Sequence, residues 1–378
     1  MKIAILTQPL KTNYGGLLQA YALQKVLKDL GHEVFTVDIG IKHTFYKDFG
    51  STIWRIVRKY IFHQKNIKNI LPNRPSKSEY KIISQHTQKF IKNNIQTTEK
   101  LESIKKISIL KKYNFEAFIV GSDQVWRPCY SSRITAFYLD FLGNDKTIKR
   151  IAYAASFGVD NWEYDEDLSK KCKGLAKKFN TISVRENSGV KLCKKYLDVN
   201  ATHVLDPTML LNQEDYISLI NKDNTNKSNT LMVYVLDKSE EKEYMVQKIS
   251  KLLNLSINTI MPIKKYSKKS RKNINDCIFP PVSNWLKGFI DAKYVITDSF
   301  HGTVFSIIFN KPFIAIANKD RGIARFSSLL KLFGLESRLI FSINELTDSL
   351  ITNHINYDVV NKSKEKIQKT SMAFLKQI

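Results

Sequence analysis

Cysteine is scarce in this chain, and the few present suggest no pairing: Cys129, Cys172, Cys193 and Cys277 stand far apart, with no Cys-x-x-Cys among them. That spacing argues against a zinc site or a redox pair and fits a reducing compartment. Long apolar runs are missing too. No window approaches eighteen consecutive apolar residues, so no membrane-spanning helix is expected. Met1-Lys2 leads into only four apolar residues before Thr7, too short for a signal-peptide core. The expectation is a cytoplasmic protein. Acidic residues are in deficit, 35 against 60 Lys and Arg, for a formal charge of +25. Such a field attracts phosphates, anionic lipids or nucleic acid and says nothing of fold. It equally fits a genome rich in Lys, Asn and Ile. No internal repeat or low-complexity tract appears.

What is present describes an ordinary globular protein: 43% hydrophobic and 11% aromatic residues in 378. That length exceeds what one core usually holds, so two domains are expected. The pattern is strand-helix alternation, an α/β chain with parallel sheets. Residues 2–6 read as a buried strand, and Thr12-Asn13-Tyr14-Gly15-Gly16 as a polar turn. Residues 17–30 read as a helix closed by Gly31, and 33–38 as a second strand. This opening resembles a dinucleotide fold, but Asn13-Tyr14-Gly15-Gly16 is not the GxGxxG fingerprint, so no nicotinamide site is assigned. Residues 45–115 read as a basic, mostly helical insertion. Within it, 51–70 form a basic amphipathic helix that either lies on an anionic membrane or packs on the domain.

Further strands are read at 115–120, 150–156 and 181–184, with a helix from 188 onward. Each strand ends in a small or polar cluster: Gly121-Ser122-Asp123-Gln124-Val125-Trp126, Ser156-Phe157-Gly158 and Arg185-Glu186-Asn187. Such clusters along one sheet edge are what a binding crevice requires. Residues 203–208 look like a domain boundary and 221–229 like a loop. A second series follows, with strand 231–236, helix 239–253 and strand 254–260. Residues 264–272, with six Lys or Arg and no acid, read as an exposed loop. A helix is read at 285–291 and another at 361–378. The first domain is taken as 1–205, the second as 206–350, with 351–378 crossing back onto the first.

The most informative stretch is strand 294–297, a turn bearing Asp298, Ser299 and His301, a helix opening at Gly302, and strand 312–317. Polar residues at the carboxyl end of a parallel strand, ahead of a helix N-terminus, mark a place where anions bind. The local alternative is that Asp298 and Ser299 cap the helix and His301 packs.

Several clusters together resemble the polysaccharide pyruvyl transferases. They are Asn13-Tyr14-Gly15-Gly16 with residues 18–24, then 120–126, 153–158, 183–186 and 297–302, in order along the chain. The resemblance implies two Rossmann-like domains facing a cleft, a GT-B-like architecture. It further implies phosphoenolpyruvate as donor and co-substrate, a glycan or lipid-linked oligosaccharide as acceptor, and neither a metal nor another cofactor. A product in capsule, exopolysaccharide or another envelope glycan follows, with no nucleic acid partner. The positive charge would then favour peripheral contact with the inner membrane face.

Under the resemblance, His301 and Arg185 match the family's catalytic positions. A donor with a carboxylate and a phosphate calls for an arginine, and an imidazole with an ordinary pKa near 6.5 suits proton transfer at neutral pH. Arg185 would otherwise serve as an interdomain ion pair. Asp123 would be the base toward a sugar hydroxyl, or else cap a turn. Asp298, Ser299 and Gly302 would bind the donor. Asn13, Tyr14, Gly15, Gly16, Gly121, Ser122, Gln124, Trp126 and Ser156 would form the acceptor side of the cleft, with Tyr14 and Trp126 stacking on sugar or packing in the core. One departure stands out. The family's Arg-Leu-His pattern is Ser299-Phe300-His301 here, so Arg321 and Arg325 are expected to supply the missing charge. The rival readings are a nucleotide-sugar glycosyltransferase of the same architecture and a non-enzymatic polyanion-binding protein.

Overall fold

The computed structural model describes residues 1–40, 74–131, 133–220, 229–267, 269–318 and 321–378. The expected amphipathic helix at 51–70 and most of the loop expected at 221–229 lie outside these residues.

Two parallel sheets organise the chain. The first comprises β1 (Lys2–Leu6), β2 (Glu33–Thr36), β3 (Ala117–Val120), β4 (Lys149–Ala155), β5 (Thr181–Val184) and β6 (Thr202–His203), in the order β2-β1-β3-β4-β5-β6. The second comprises β7 (Thr230–Tyr234), β8 (Ser256–Asn258), β9 (Tyr294–Thr297), β10 (Phe313–Ile316) and β11 (Leu339–Ile340), in the order β11-β10-β9-β7-β8. Every central strand is a short apolar run buried along its length, as helices on both faces of a sheet demand.

Register places the chemistry. Leu6 lies opposite Val120, Val120 opposite Ala152, and Ala155 opposite Val184, so the first sheet's strands end together. Tyr234 pairs with Thr297, and Thr297 with Ala315, which aligns the ends of the second sheet likewise. Strand order reverses between β1 and β3 and between β7 and β9, the switch points where such sheets open a crevice.

The domains share much of their interior. One core cluster runs from Ile3, Leu17 and Leu23 of the first to Trp285, Phe289 and Phe305 of the second. The helix Tyr357–Lys376 lies back along the first domain. There the Leu205 N–H donates to Ser371 Oγ at 3.0 Å, and Gln368 Nε2 to the Leu210 carbonyl at 2.7 Å. No helix among the described residues is long and apolar enough to cross a membrane.

Several boundaries differ from the sequence pattern. The first helix spans Tyr14–Asp29, three residues earlier than its apolar spacing suggests, and so takes in Gly15 and Gly16. The expected strand at 254–260 shrinks to Ser256–Asn258, the sheet's edge. The basic segment expected as a loop turns into the 3-10 stretch Lys269–Cys277, anchored by the buried Ser270.

Candidate active site

The carboxyl ends of both sheets open into a cleft of about 560 Å³. Gln8, Asn13, Asp123 and Gln124 line it from the first domain, and Asp298, Ser299, His301, Arg321 and Arg325 from the second.

On the first-domain side the loop after β3 is fixed by buried hydrogen bonds. Gln19 Oε1 accepts the Ser122 N–H at 3.1 Å, and Thr7 Oγ1 donates to the Ser122 carbonyl at 3.0 Å. Asp123 then sits at φ +73°, a left-handed conformation an aspartate tolerates better than most residues. Its Oδ1 accepts the Gln124 N–H at 2.9 Å and Arg185 Nη2 at 3.4 Å. Burial pushes the Asp123 carboxyl up, but Arg185, His301 and Arg325 outweigh it and leave it below the usual carboxylate range. Asp123 is therefore an anion at neutral pH and a weak base.

Arg185 is a buried hub. Its Nη1 donates to Asp206 Oδ2 at 2.6 Å, and its guanidinium lies 4.5 Å from the ring centroid of Phe300 in the second domain. Both terminal nitrogens thus serve carboxylates, Asp123 after β3 and Asp206 just after β6, and Arg185 does not line the cleft. Asp206 is the carboxylate the sequence reading overlooked. It ends a short apolar run and precedes Pro207, which reads as a turn at a domain boundary, although the same strand-end pattern had marked Asp123 and Asp298. Burial raises the Asp206 carboxyl, but His301 and the Arg185 guanidinium hold it far below the ordinary range.

On the second-domain side Ser299 caps the helix Phe300–Ile308, accepting the Gly302 N–H at 3.4 Å. That places His301 in the first turn, facing the first domain. Gly302 is confined: a Cβ there would stand 2.1 Å from Thr297 Oγ1. Asp298 was expected to bind donor, yet its carboxylate is committed. It accepts the Leu236 and Asp237 N–H groups at 2.6 and 3.1 Å and pairs with Lys242 Nζ at 2.6 Å, tying β7 to β9. Arg321 is likewise engaged, its Nε 2.6 Å from Asp237 Oδ2.

Arg325 differs. It is buried in the cleft wall, donates through Nη2 to the Arg321 carbonyl at 2.6 Å, and leaves Nε without a hydrogen-bond partner. Its guanidinium lies 5.2 Å from the Phe300 centroid. Burial and the neighbouring Arg185 push its pKa down to about 10.

Other expected cleft residues lie behind the wall. Tyr14 is buried against Trp285, with ring centroids 5.6 Å apart, and its hydroxyl donates to the Pro280 carbonyl, so it bolts the domains together. Trp126 stacks on Tyr138 at 4.9 Å and donates to the Phe137 carbonyl, which makes it core. Neither lines the cleft. Ser122 and Ser156 are buried and bonded to Asp206 and Glu186. Gly121, at φ +121°, lets the Tyr153 carbonyl approach to where a Cβ would stand 2.1 Å away. A Cβ on Gly16 would meet Asn13 Nδ2 at 3.1 Å, keeping that turn tight. Lys11, Tyr130, Met261, Lys265 and Phe279 also line the cleft, and no motif in the sequence marked them. Among the described residues no group of three or more His, Cys, Asp or Glu is placed to hold a metal ion.

Comparison with known proteins puts this geometry in context. No curated protein matches the sequence. Among solved structures, UDP-GlcNAc 2-epimerase from Neisseria meningitidis bound to UDP-GlcNAc is 10% identical with a TM-score of 0.50, covering 98% of this chain and 99% of that one. Arabidopsis thaliana UGT89C1 complexed with UDP-L-rhamnose is 9% identical with a TM-score of 0.52, covering 99% and 98%. At such identities the likeness is one of fold, the GT-B-like pair of Rossmann-like domains. The sequence profile described as polysaccharide pyruvyl transferase matches residues 13–320. With most of its length matched, including the segments that carry Asp123, Arg185 and His301, the chain belongs to the polysaccharide pyruvyl transferase family, a family of transferases.

Proposed function

We propose that the protein transfers a pyruvyl group from phosphoenolpyruvate to two hydroxyls of a sugar in an envelope glycan or its lipid-linked precursor. The observation that carries this reading is Arg325, a buried guanidinium in the cleft wall with an unpartnered Nε and Arg185 nearby. A buried arginine with a free nitrogen in a cleft of this size suits a small anion, and a donor bearing both carboxylate and phosphate meets that need.

In the reaction, C3 of the donor gains a proton from His301 and becomes a methyl group. One sugar hydroxyl meanwhile bonds to C2 and gives up its own proton to solvent or back to the neutralised imidazole. The second hydroxyl then displaces phosphate from C2, its own proton leaving with the phosphate or a base, and the ketal closes. His301, at the cleft wall, is the group suited to deliver the C3 proton. Arg325 holds the donor's anionic oxygens and stabilises the departing phosphate. Asp123, ionised and half-engaged by Arg185, orients an acceptor hydroxyl better than it deprotonates one.

Thermal unfolding with candidate donors tests the reading. Phosphoenolpyruvate is expected to raise Tm in a concentration-dependent way, and Arg325→Gln to move that rise to about tenfold to a hundredfold higher concentration. Stabilisation by a nucleotide sugar and not by phosphoenolpyruvate would overturn the donor assignment. Mass spectrometry of glycan from cells with and without the protein tests the product; a mass increment of one pyruvyl ketal is expected only with it.

A further inference from the structure

Asp206 lies behind the cleft wall, yet everything around it leaves one direction open, toward His301. Its Oδ1 accepts the N–H and the hydroxyl of Thr208 at 3.0 and 2.7 Å. Its Oδ2 accepts Arg185 Nη1 at 2.6 Å and Ser122 Oγ at 3.2 Å. His301 Nε2 stands 3.7 Å from that same Oδ2, at ion-pair distance but outside hydrogen-bond reach. This nitrogen is buried and has no hydrogen-bond partner. A second contact seats the same ring. A Cβ on Gly15 would lie 2.2 Å from His301 Cγ and Nδ1, so the first helix of the first domain is cut away to admit an imidazole from the second. Phe300 meets the ring edge-on at 5.3 Å. The charged groups that face it are Asp206 and Asp123, each of which also faces Arg185.

An ion pair that only braced β5 against the domain boundary would need Arg185 alone. It would not need a histidine facing it from the helix after β9, nor a glycine making room for that histidine. We propose that Asp206 is the positioning residue for His301. It keeps Nε2 as the proton-bearing nitrogen and stabilises the imidazolium during proton transfer, while Gly15 sets where the ring sits. A buried carboxylate beside a histidine performs both tasks in hydrolytic triads. The role in turnover rests on the pyruvyl-transfer reading above. The seating of the imidazole does not.

Nitrogen NMR of 15N-histidine-labelled protein reads the tautomer without turnover, with His301→Gln identifying the resonance. Neutral His301 in the native protein is expected to carry its proton on Nε2. Asp206→Asn is expected to shift it toward a mixture of tautomers. Thr208→Val, which only unclamps Oδ1, is the milder variant should Asp206→Asn fail to fold, and it moves the signal in the same direction. An unchanged tautomer in the folded variants overturns the proposal whatever the reaction proves to be.

Transfer kinetics then separate positioning from binding. Asp206→Asn should lower kcat by about a hundredfold and leave KM for phosphoenolpyruvate within about threefold. In the His301→Gln background it should cost nothing further, because the two residues act as a unit. Additive losses would show that Asp206 does not act through His301.

Discussion

At the scale of single residues, the site divides arginines and carboxylates into those already paired and those with capacity left. Arg321 and Asp237 satisfy each other, as do Lys242 and Asp298. Arg325 has an unpartnered Nε, and its substitution should report on donor affinity. Arg325→Gln is expected to raise KM for phosphoenolpyruvate by about tenfold to a hundredfold, the worth of a charge-assisted hydrogen bond. His301→Gln should lower kcat by at least about a hundredfold with KM little changed. Steady-state kinetics check both, and a reversed pattern would exchange the two roles.

Asp206 also leaves a mark on acid stability. Its folded pKa is depressed by His301 and Arg185 in spite of burial, while an unfolded aspartate titrates near 3.9. Its contribution to stability is therefore complete above that pH and is lost as pH falls through the folded value. Urea unfolding at a series of pH values should show the native protein weakening below about pH 4, and Asp206→Asn weakening less steeply over the same range. Equal slopes would locate the acid sensitivity elsewhere.

At the scale of elements, the turn after β9 stabilises the fold as well as presenting His301. Asp298→Ala would strip the partner from Lys242 and leave two half-buried N–H groups without an acceptor. A loss of about 3 kcal/mol is expected, at the low end for breaking a buried pair because Lys242 keeps some access to water. Denaturant unfolding measures it. This residue also shows what a sequence can and cannot tell. An acid after a buried strand marks the edge where ligands bind, but only the register of β7 shows that the Leu236 and Asp237 amides have claimed the carboxylate.

The central strands were legible because each is a continuous apolar run ending in polar residues. Helix starts were less so. The helix Tyr14–Asp29 begins with glycines that its propensity disfavours, and Gly15 is explained only by His301, 286 positions away in the chain. The places of Tyr14 and Trp126 were hidden for a related reason. An aromatic beside a glycine turn looks the same in sequence whether its ring meets solvent or Trp285 or Tyr138. Asp206 was legible in kind but not in consequence, since a carboxylate before proline is a common turn.

At the scale of the whole molecule, the two domains share an interior, and the helix Tyr357–Lys376 spans back over the first. Unfolding is therefore expected to be cooperative, with fluorescence and circular dichroism reporting one transition. Ending the chain at Asn356 would remove the Ser371 and Gln368 hydrogen bonds and the burial of Val360 and Leu375. Tm should fall by about 10 °C or more, and the two probes should cease to coincide. Coincident probes and an unchanged Tm would show the helix to be dispensable.

That returning helix bears on the order in which the molecule comes into being. The segment from Leu205 to Leu210, which presents Asp206 to the site, donates one hydrogen bond to Ser371 and accepts one from Gln368. During synthesis the second domain emerges before those residues do. The segment that carries Asp206 is thus made near the middle of synthesis, while two of its hydrogen-bond partners are made close to the end of the described chain.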